Sequence, residues 1–167
     1  MVRDAQGVRA KLTPLGTTMQ YNTVIVNLID LLNFASVTSF ANNSFYNCSS
    51  IRFAVLPPNL TTMNQRGFQG CTSLLVCTIP STFRTFGDLA FYNSTRIRAL
   101  IFFCETPPSY NRTLNSTGSR KVYVPDDSVE AYKAASGWSS YASSIYGHSQ
   151  LAIDHPDYYE QYIHVYD

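Results

Sequence analysis

Phe45-Tyr46-Asn47-Cys48-Ser49-Ser50-Ile51 is answered 23 residues later by Phe68-Gln69-Gly70-Cys71-Thr72-Ser73-Leu74, and again by Phe91-Tyr92-Asn93-Ser94-Thr95-Arg96-Ile97. The same step carries Ala54 to Cys77 and Leu100, Leu56 to Ile79 and Phe102, and Pro57 to Pro80. It also carries Leu60-Thr61-Thr62-Met63 to Phe83-Arg84-Thr85-Phe86, with Val37-Thr38-Ser39-Phe40 one step upstream. Recurrence this dense reads as one structural unit repeated along the chain, each copy laying its apolar edge on the next.

Within a unit, Ile51-x-x-Ala54-x-Leu56 has the apolar spacing of a leucine-rich repeat, and a 23-residue unit lies within the length range of such repeats. Side chains alternate along a strand, so Ala54 and Leu56 point into the stack and their neighbours point out. Pro57 and Pro80 end their strands because proline has no N–H to continue a ladder. The expected fold is an α/β solenoid: a short stack with parallel strands, a 23-residue period and a helical C-terminal cap. Four regions are expected: an N-terminal docking or capping segment (1–27), the repeat stack (28–125), the cap (126–146) and a Tyr-rich acidic tail (147–167).

Residues 28–44 read as a degenerate first unit, with Leu28-x-x-Leu31 in register and Asn33 where an apolar residue belongs. After Phe102 the pattern lapses through Pro107, Pro108 and the polar stretch to Gly118, which predicts an exposed loop. Val122-x-Val124-Pro125 then reads as a last rung. Asp127-x-x-Glu130 is a capping-box-like helix start and Gly137 a helix stop, which predicts a helix over 128–136. Tyr132, Trp138 and Tyr141 would cover the open end of the stack.

Ser44 to Ile51, Gly67 to Leu74 and the Thr78-Ile79-Pro80 turn resemble BspA-type leucine-rich repeats. Thr106-Pro107-Pro108 and Val122 to Trp138 resemble the closing helical segment of such proteins from gut anaerobes and their phages. The resemblance spans about 37–146, departing in the first unit, at Ser94 in place of Cys, and at both ends. It implies surface display and binding, as adhesin or phage structural protein, and carries no catalytic residues.

Other chemistry is weakly signalled. Charged residues make up 14% of the chain, against about 25% in typical soluble proteins, and the net charge is +1. Neither nucleic acid nor an anionic membrane is favoured by such a surface. The charges are polarised, however: Arg3, Arg9 and Lys11 lie at one end and Asp154, Asp157, Glu160 and Asp167 at the other, which permits head-to-tail contact between copies. Of the four cysteines, Cys48 and Cys71 share a repeat position and Cys77 an inward one, so packing explains them better than disulfide or metal binding. His148, His155 and His164, interleaved with acids, are a weak metal signal, for which a solvated or packed tail is the preferred reading. Six N-x-S/T triplets carry little weight in so Asn- and Thr-rich a chain. No hydrolase, metalloprotease, P-loop or dinucleotide motif is present, so no enzyme activity, catalytic residue, metal or cofactor is expected.

Two features are candidate partner surfaces. Arg52, Phe53 and Val55, then Leu75, Val76 and Thr78, then Arg98, Ala99 and Ile101 occupy outward strand positions and make an unusually apolar face, open to a partner or covered by 1–27. The second is the tail, with Tyr158, Tyr159, Tyr162 and Tyr166, read as a contact to a neighbouring subunit. Residues 1–20 hold no apolar stretch of the length a secretory signal requires, and no later segment approaches a membrane span. With the start at Met1, this leads to the expectation of a virion component (fibre, tail or capsid-decorating) assembled inside a host cell, homo-oligomeric and bound to other virion proteins. The alternative is an extracellular or bacterial surface adhesin, its leader removed, that binds a host protein or glycan.

Overall fold

The computed structural model describes the backbone of residues 2–3, 9–10 and 28–167, and side chains from Asp30 onward. Two short strands, β1 (Val2–Arg3) and β2 (Arg9–Ala10), pair antiparallel. The rest of the segment 1–27, and with it the docking or capping role read there, lies outside the described residues.

Two parallel sheets enclose the core. One contains β3 (Leu28–Asp30), β5 (Phe53–Val55), β7 (Val76–Ile79), β9 (Ala99–Phe102), β10 (Lys121–Val124) and β11 (Ile145–Gly147), with adjacent members in chain order lying side by side. The other contains β4 (Ser39–Phe40), β6 (Thr62–Met63) and β8 (Thr85–Phe86), extended by a bridge from Thr85 to Ser109. Phe53 pairs with Val76, and Val76 with Ala99. Ile51, Leu74 and Ile97 are all buried in one cluster beside these strands.

The interior is set by what each unit offers the next. Phe45, Phe68 and Phe91 stack with ring centroids 4.7 and 5.7 Å apart and rings inclined by 16°. Burial of each such ring contributes about 1.5–3 kcal/mol, and the aromatic pairing about 0.5–1.5 kcal/mol more. Cys71 directs its thiol at the Phe45 carbonyl, 3.1 Å away. Ser94, which replaces cysteine in the next unit, keeps that bond by donating to the Phe68 carbonyl at 2.7 Å. All four cysteines are buried thiols, and burial pushes that of Cys104 up to about 11.

Several sequence expectations are corrected. The stretch through 107–118 is not an exposed loop. Thr113, Leu114 and Thr117 are buried, and the Phe91 N–H donates to the Thr113 carbonyl as the Phe68 N–H does to Ala90. The turns explain how a repeat unit hides in this stretch. Asn43, Arg66, Leu89 and Arg112, then Asn47, Gly70, Asn93 and Ser116, all take positive φ, so the last unit keeps the backbone while losing the apolar signature. Gly70 has a further reason to be glycine, since a Cβ there would lie 2.0 Å from Asn47 Oδ1.

The first unit is the second correction. Leu28 pairs with Phe53 and Asp30 with Val55, two positions out of the expected register, while Ser39 pairs with Thr62. Two extra residues therefore lie between β3 and β4, and the buried Leu31, not Asn33, continues the apolar edge. Third, Asp127 does not cap the helix. The chain leaves Pro125 through a 3-10 turn (Asp126–Ser128) into α1 (Val129–Ala134) without a side-chain cap, and Glu130 instead meets Lys133.

Gly137, at φ +80°, starts a second 3-10 segment (Trp138–Ser144). It lets Trp138 turn inward, fully buried against Phe86, Phe102, Tyr110 and Tyr132, with its Nε1–H donating to the Pro108 carbonyl at 2.7 Å. Val122–Val124 is not the last strand, because β11 pairs beyond it, Val122 opposite Ile145. Two short helices, α2 (His148–Asp154) and α3 (Pro156–Tyr162), end the chain. Among the described residues no helix is long and apolar enough to cross a membrane.

Candidate interaction surfaces

The outward face of the larger sheet is closed by the chain's own C-terminus. Val55, Leu75, Val76, Thr78, Ala99 and Ile101 are buried, Phe53 is half-buried, and only Arg52 and Arg98 of that set stay exposed. What lies on them is 148–167: Leu151, Tyr158, Tyr159, Tyr162, Val165 and Tyr166 form a second apolar cluster with Val55, Leu75, Val76, Ala99, Ile101 and Tyr123. The sheet face, expected to meet a partner or residues 1–27, and the tail, expected to meet a neighbouring subunit, are joined to each other. Each is apolar surface that lacks a partner when read alone, and each is what the other needs to leave water.

Polar bonds fix the tail's position. Asp154 accepts from Lys121 Nζ and from the Tyr123 hydroxyl, both at 2.7 Å. The lysine's bond, followed by those of Tyr123 and Gln150, holds the Asp154 carboxyl down at about 2 against the opposing effect of burial. Ser149 donates to Asp126 through its backbone N–H at 3.0 Å and its hydroxyl at 2.8 Å, which lowers the Asp126 pKa. At the far end the Tyr166 hydroxyl reaches the carbonyls of Leu56 at 3.0 Å and Thr78 at 3.1 Å, and burial raises its pKa. Tyr162 is different: its hydroxyl is buried with no hydrogen-bond partner among the described residues, and burial raises its pKa too.

The three histidines go to separate places. His148 Nε2 lies 2.9 Å from the Phe102 carbonyl, with its pKa lowered by burial; His155 stacks on Tyr158; His164 meets Asp167. No three metal-ligating side chains converge among the described residues.

A polar surface remains open on the smaller sheet. Ser39, Thr85 and Ser109 are exposed and Thr62 half-buried, in register from strand to strand. Thr61 Oγ1 ties the column together by donating to the Thr38 carbonyl at 2.9 Å. Sequence reasoning passes over this column, although Ser39, Thr62 and Thr85 follow the same spacing as the phenylalanines. Beside it Arg112 and Asp88 form a bidentate pair across neighbouring units.

Residues 10–133 match the family model for the BspA type leucine-rich repeat region, in six copies. The chain belongs to this family. No curated protein matches the chain. BspA-type repeats serve protein binding or adhesion and are in general non-catalytic, and the parallel strands and few helices of this chain fit such a repeat α/β fold.

Proposed function

We propose that the chain is a non-catalytic binding and assembly module, a short solenoid of 23-residue coils, whose principal contact surface is the hydroxyl-bearing column Ser39, Thr62, Thr85 and Ser109. The observation that carries this reading is the contrast between the two sheets. The apolar outward face is occupied by the chain's own tail, whereas the polar column is regular and uncovered by any described residue. A regular row of small hydroxyls offers donors and acceptors at strand spacing, about 4.8 Å, suited to an extended protein segment or the flat side of a neighbouring subunit. Arg52, Arg98, Phe53, Tyr158 and Tyr159, at the exposed rim where strands and tail meet, form a secondary contact.

The setting we propose is a virion, with this chain as a fibre, tail or capsid-decorating component that meets copies of itself and other virion proteins. Its support is the resemblance of Thr106–Pro108 and Val122–Trp138 to the closing segment of phage-associated repeat proteins. Mass spectrometry and labelled electron microscopy of purified particles test it. Presence at stoichiometric copy number is the expected result, and absence from particles together with display on a bacterial surface would replace this setting by that of an adhesin. The surface itself is tested by Thr62→Arg with Thr85→Arg, which should abolish partner binding while leaving the circular dichroism spectrum unchanged; full retention of binding would overturn it.

A further inference from the structure

One corner of the stack differs from the corner before it. Thr82 ties its own unit to the preceding one, its hydroxyl lying 3.0 Å from the Pro58 carbonyl and 2.8 Å from that of Leu60. Glu105 stands one repeat further on, is exposed, and makes no such bond. The corner that holds it is also longer by one residue: Thr62 pairs with Thr85, but Thr85 bridges to Ser109 rather than to Pro108. Without the bridging hydroxyl and with an extra residue to place, the corner opens into a depression of about 260 Å³ lined by Ser81, Arg84, Phe103, Glu105 and Thr106.

The lining is chemically mixed in a way that narrows the ligand. Arg84 Nη1 donates to the carbonyls of Ser81 and Phe83, each at 2.7 Å, which fixes the guanidinium and leaves its other N–H groups to point elsewhere. Arg84 and Glu105 line the same depression without forming an ion pair with each other or with any other described residue. A small anion would meet Glu105 and a small cation Arg84. A compact zwitterion such as glycine could meet both charges, but it has no apolar face to lay on Phe103. A neutral ring bearing several hydroxyls meets none of these objections. It can give protons to the carboxylate, accept from the guanidinium, and exchange bonds with Ser81 and Thr106 while its C–H face lies on Phe103. The depression, about 260 Å³, is of a size to take one six-membered ring.

We propose that this depression is a binding subsite for a single neutral pyranose residue, at the end or at a branch of a glycan. It adjoins the hydroxyl column but does not depend on it or on the virion setting. The test is a titration of the isotopically labelled full chain, followed by amide chemical shifts, with methyl α-glucopyranoside, methyl β-galactopyranoside and N-acetylglucosamine, and with glycine as the zwitterionic control. Shifts confined to 81–85 and 103–107 are expected with at least one sugar. Each of Arg84→Ala and Glu105→Ala should weaken them about tenfold or more, the loss of one charge-assisted hydrogen bond. Both side chains lie at the surface, so unchanged spectra elsewhere certify the fold. Thr62→Arg with Thr85→Arg should still bind the sugar, which separates this subsite from the protein-binding surface. No movement with any sugar, movement that survives both alanine variants, or movement with glycine alone would overturn the proposal.

Discussion

The two sides of the larger sheet bury apolar surface by different means. On the inner side, residues such as Cys77, Ile79, Leu100 and Phe102 meet equivalent residues of the neighbouring unit, so every contact is one of a series. On the outer side, Val76, Ala99 and Ile101 meet Leu151, Tyr162 and Tyr166, which have no counterpart elsewhere in the chain. The inner packing is therefore cooperative along the stack, whereas the outer packing depends on two seven-residue helices that are too short to be stable without the sheet beneath them.

The largest test of this difference is Phe68→Ala. The ring sits between Phe45 and Phe91, and its removal is expected to cost about 3–5 kcal/mol and to lower the urea midpoint of the whole chain in a single transition. A loss confined to one segment would contradict a cooperative interior. Leu151→Ala should cost less, about 2–3 kcal/mol, and show itself differently. Hydrogen exchange should accelerate across 148–167 while the amides of β7 and β9 stay protected, since their bonds lie within the ladder. Equal acceleration in both regions would mean that tail and stack unfold together.

Tyr162→Phe should work in the opposite direction. It removes a buried hydroxyl that lacks a partner, a group whose burial costs about 1–3 kcal/mol, and a gain of about 1 kcal/mol in tail protection is expected. A loss of protection instead would show that the hydroxyl holds a bond through water.

The smallest effect is one of pH. Burial lowers the His148 pKa below its ordinary value, so the folded chain favours the neutral ring while the unfolded chain takes up a proton near pH 6.5. The stability this ring permits is full above the unfolded value and falls as the pH drops below it. Asp154 has the reverse sign of origin and a lower window, its contribution being present above about pH 4 and lost as the pH falls through about 2. The protection of the tail amides, measured against their intrinsic exchange rates, should thus fall between neutral pH and pH 5 in the parent chain. In His148→Gln that step should vanish, and its persistence would place the titrating group elsewhere.

How far these features are legible in the chain follows from their physics. The phenylalanine column is readable because a large ring returning at a fixed interval needs an equivalent cavity at that interval, and only a repeated fold provides one. The unit holding Thr113, Leu114 and Thr117 is not, since its small polar residues look like a loop until the left-handed turns at Arg112 and Ser116 place them over Leu89 and Asn93. The offset in the first unit arises from two residues added in a turn, which leave no apolar mark. The outward strand residues and the tyrosines of the tail each read as apolar surface in want of cover. That they cover one another is a long-range fact, decided by where β11 delivers the chain after the sheet is built, and no local pattern around Phe53 or Tyr166 encodes it.

The buried thiols have a consequence for the chemistry open to the folded chain. Only a thiolate attacks a disulfide or captures a metal, and the thiols of Cys71, Cys77 and Cys104, sealed in the interior with raised pKa values, stay protonated in the folded state. A disulfide or a metal–thiolate bond at any of these three would therefore require the stack to open first.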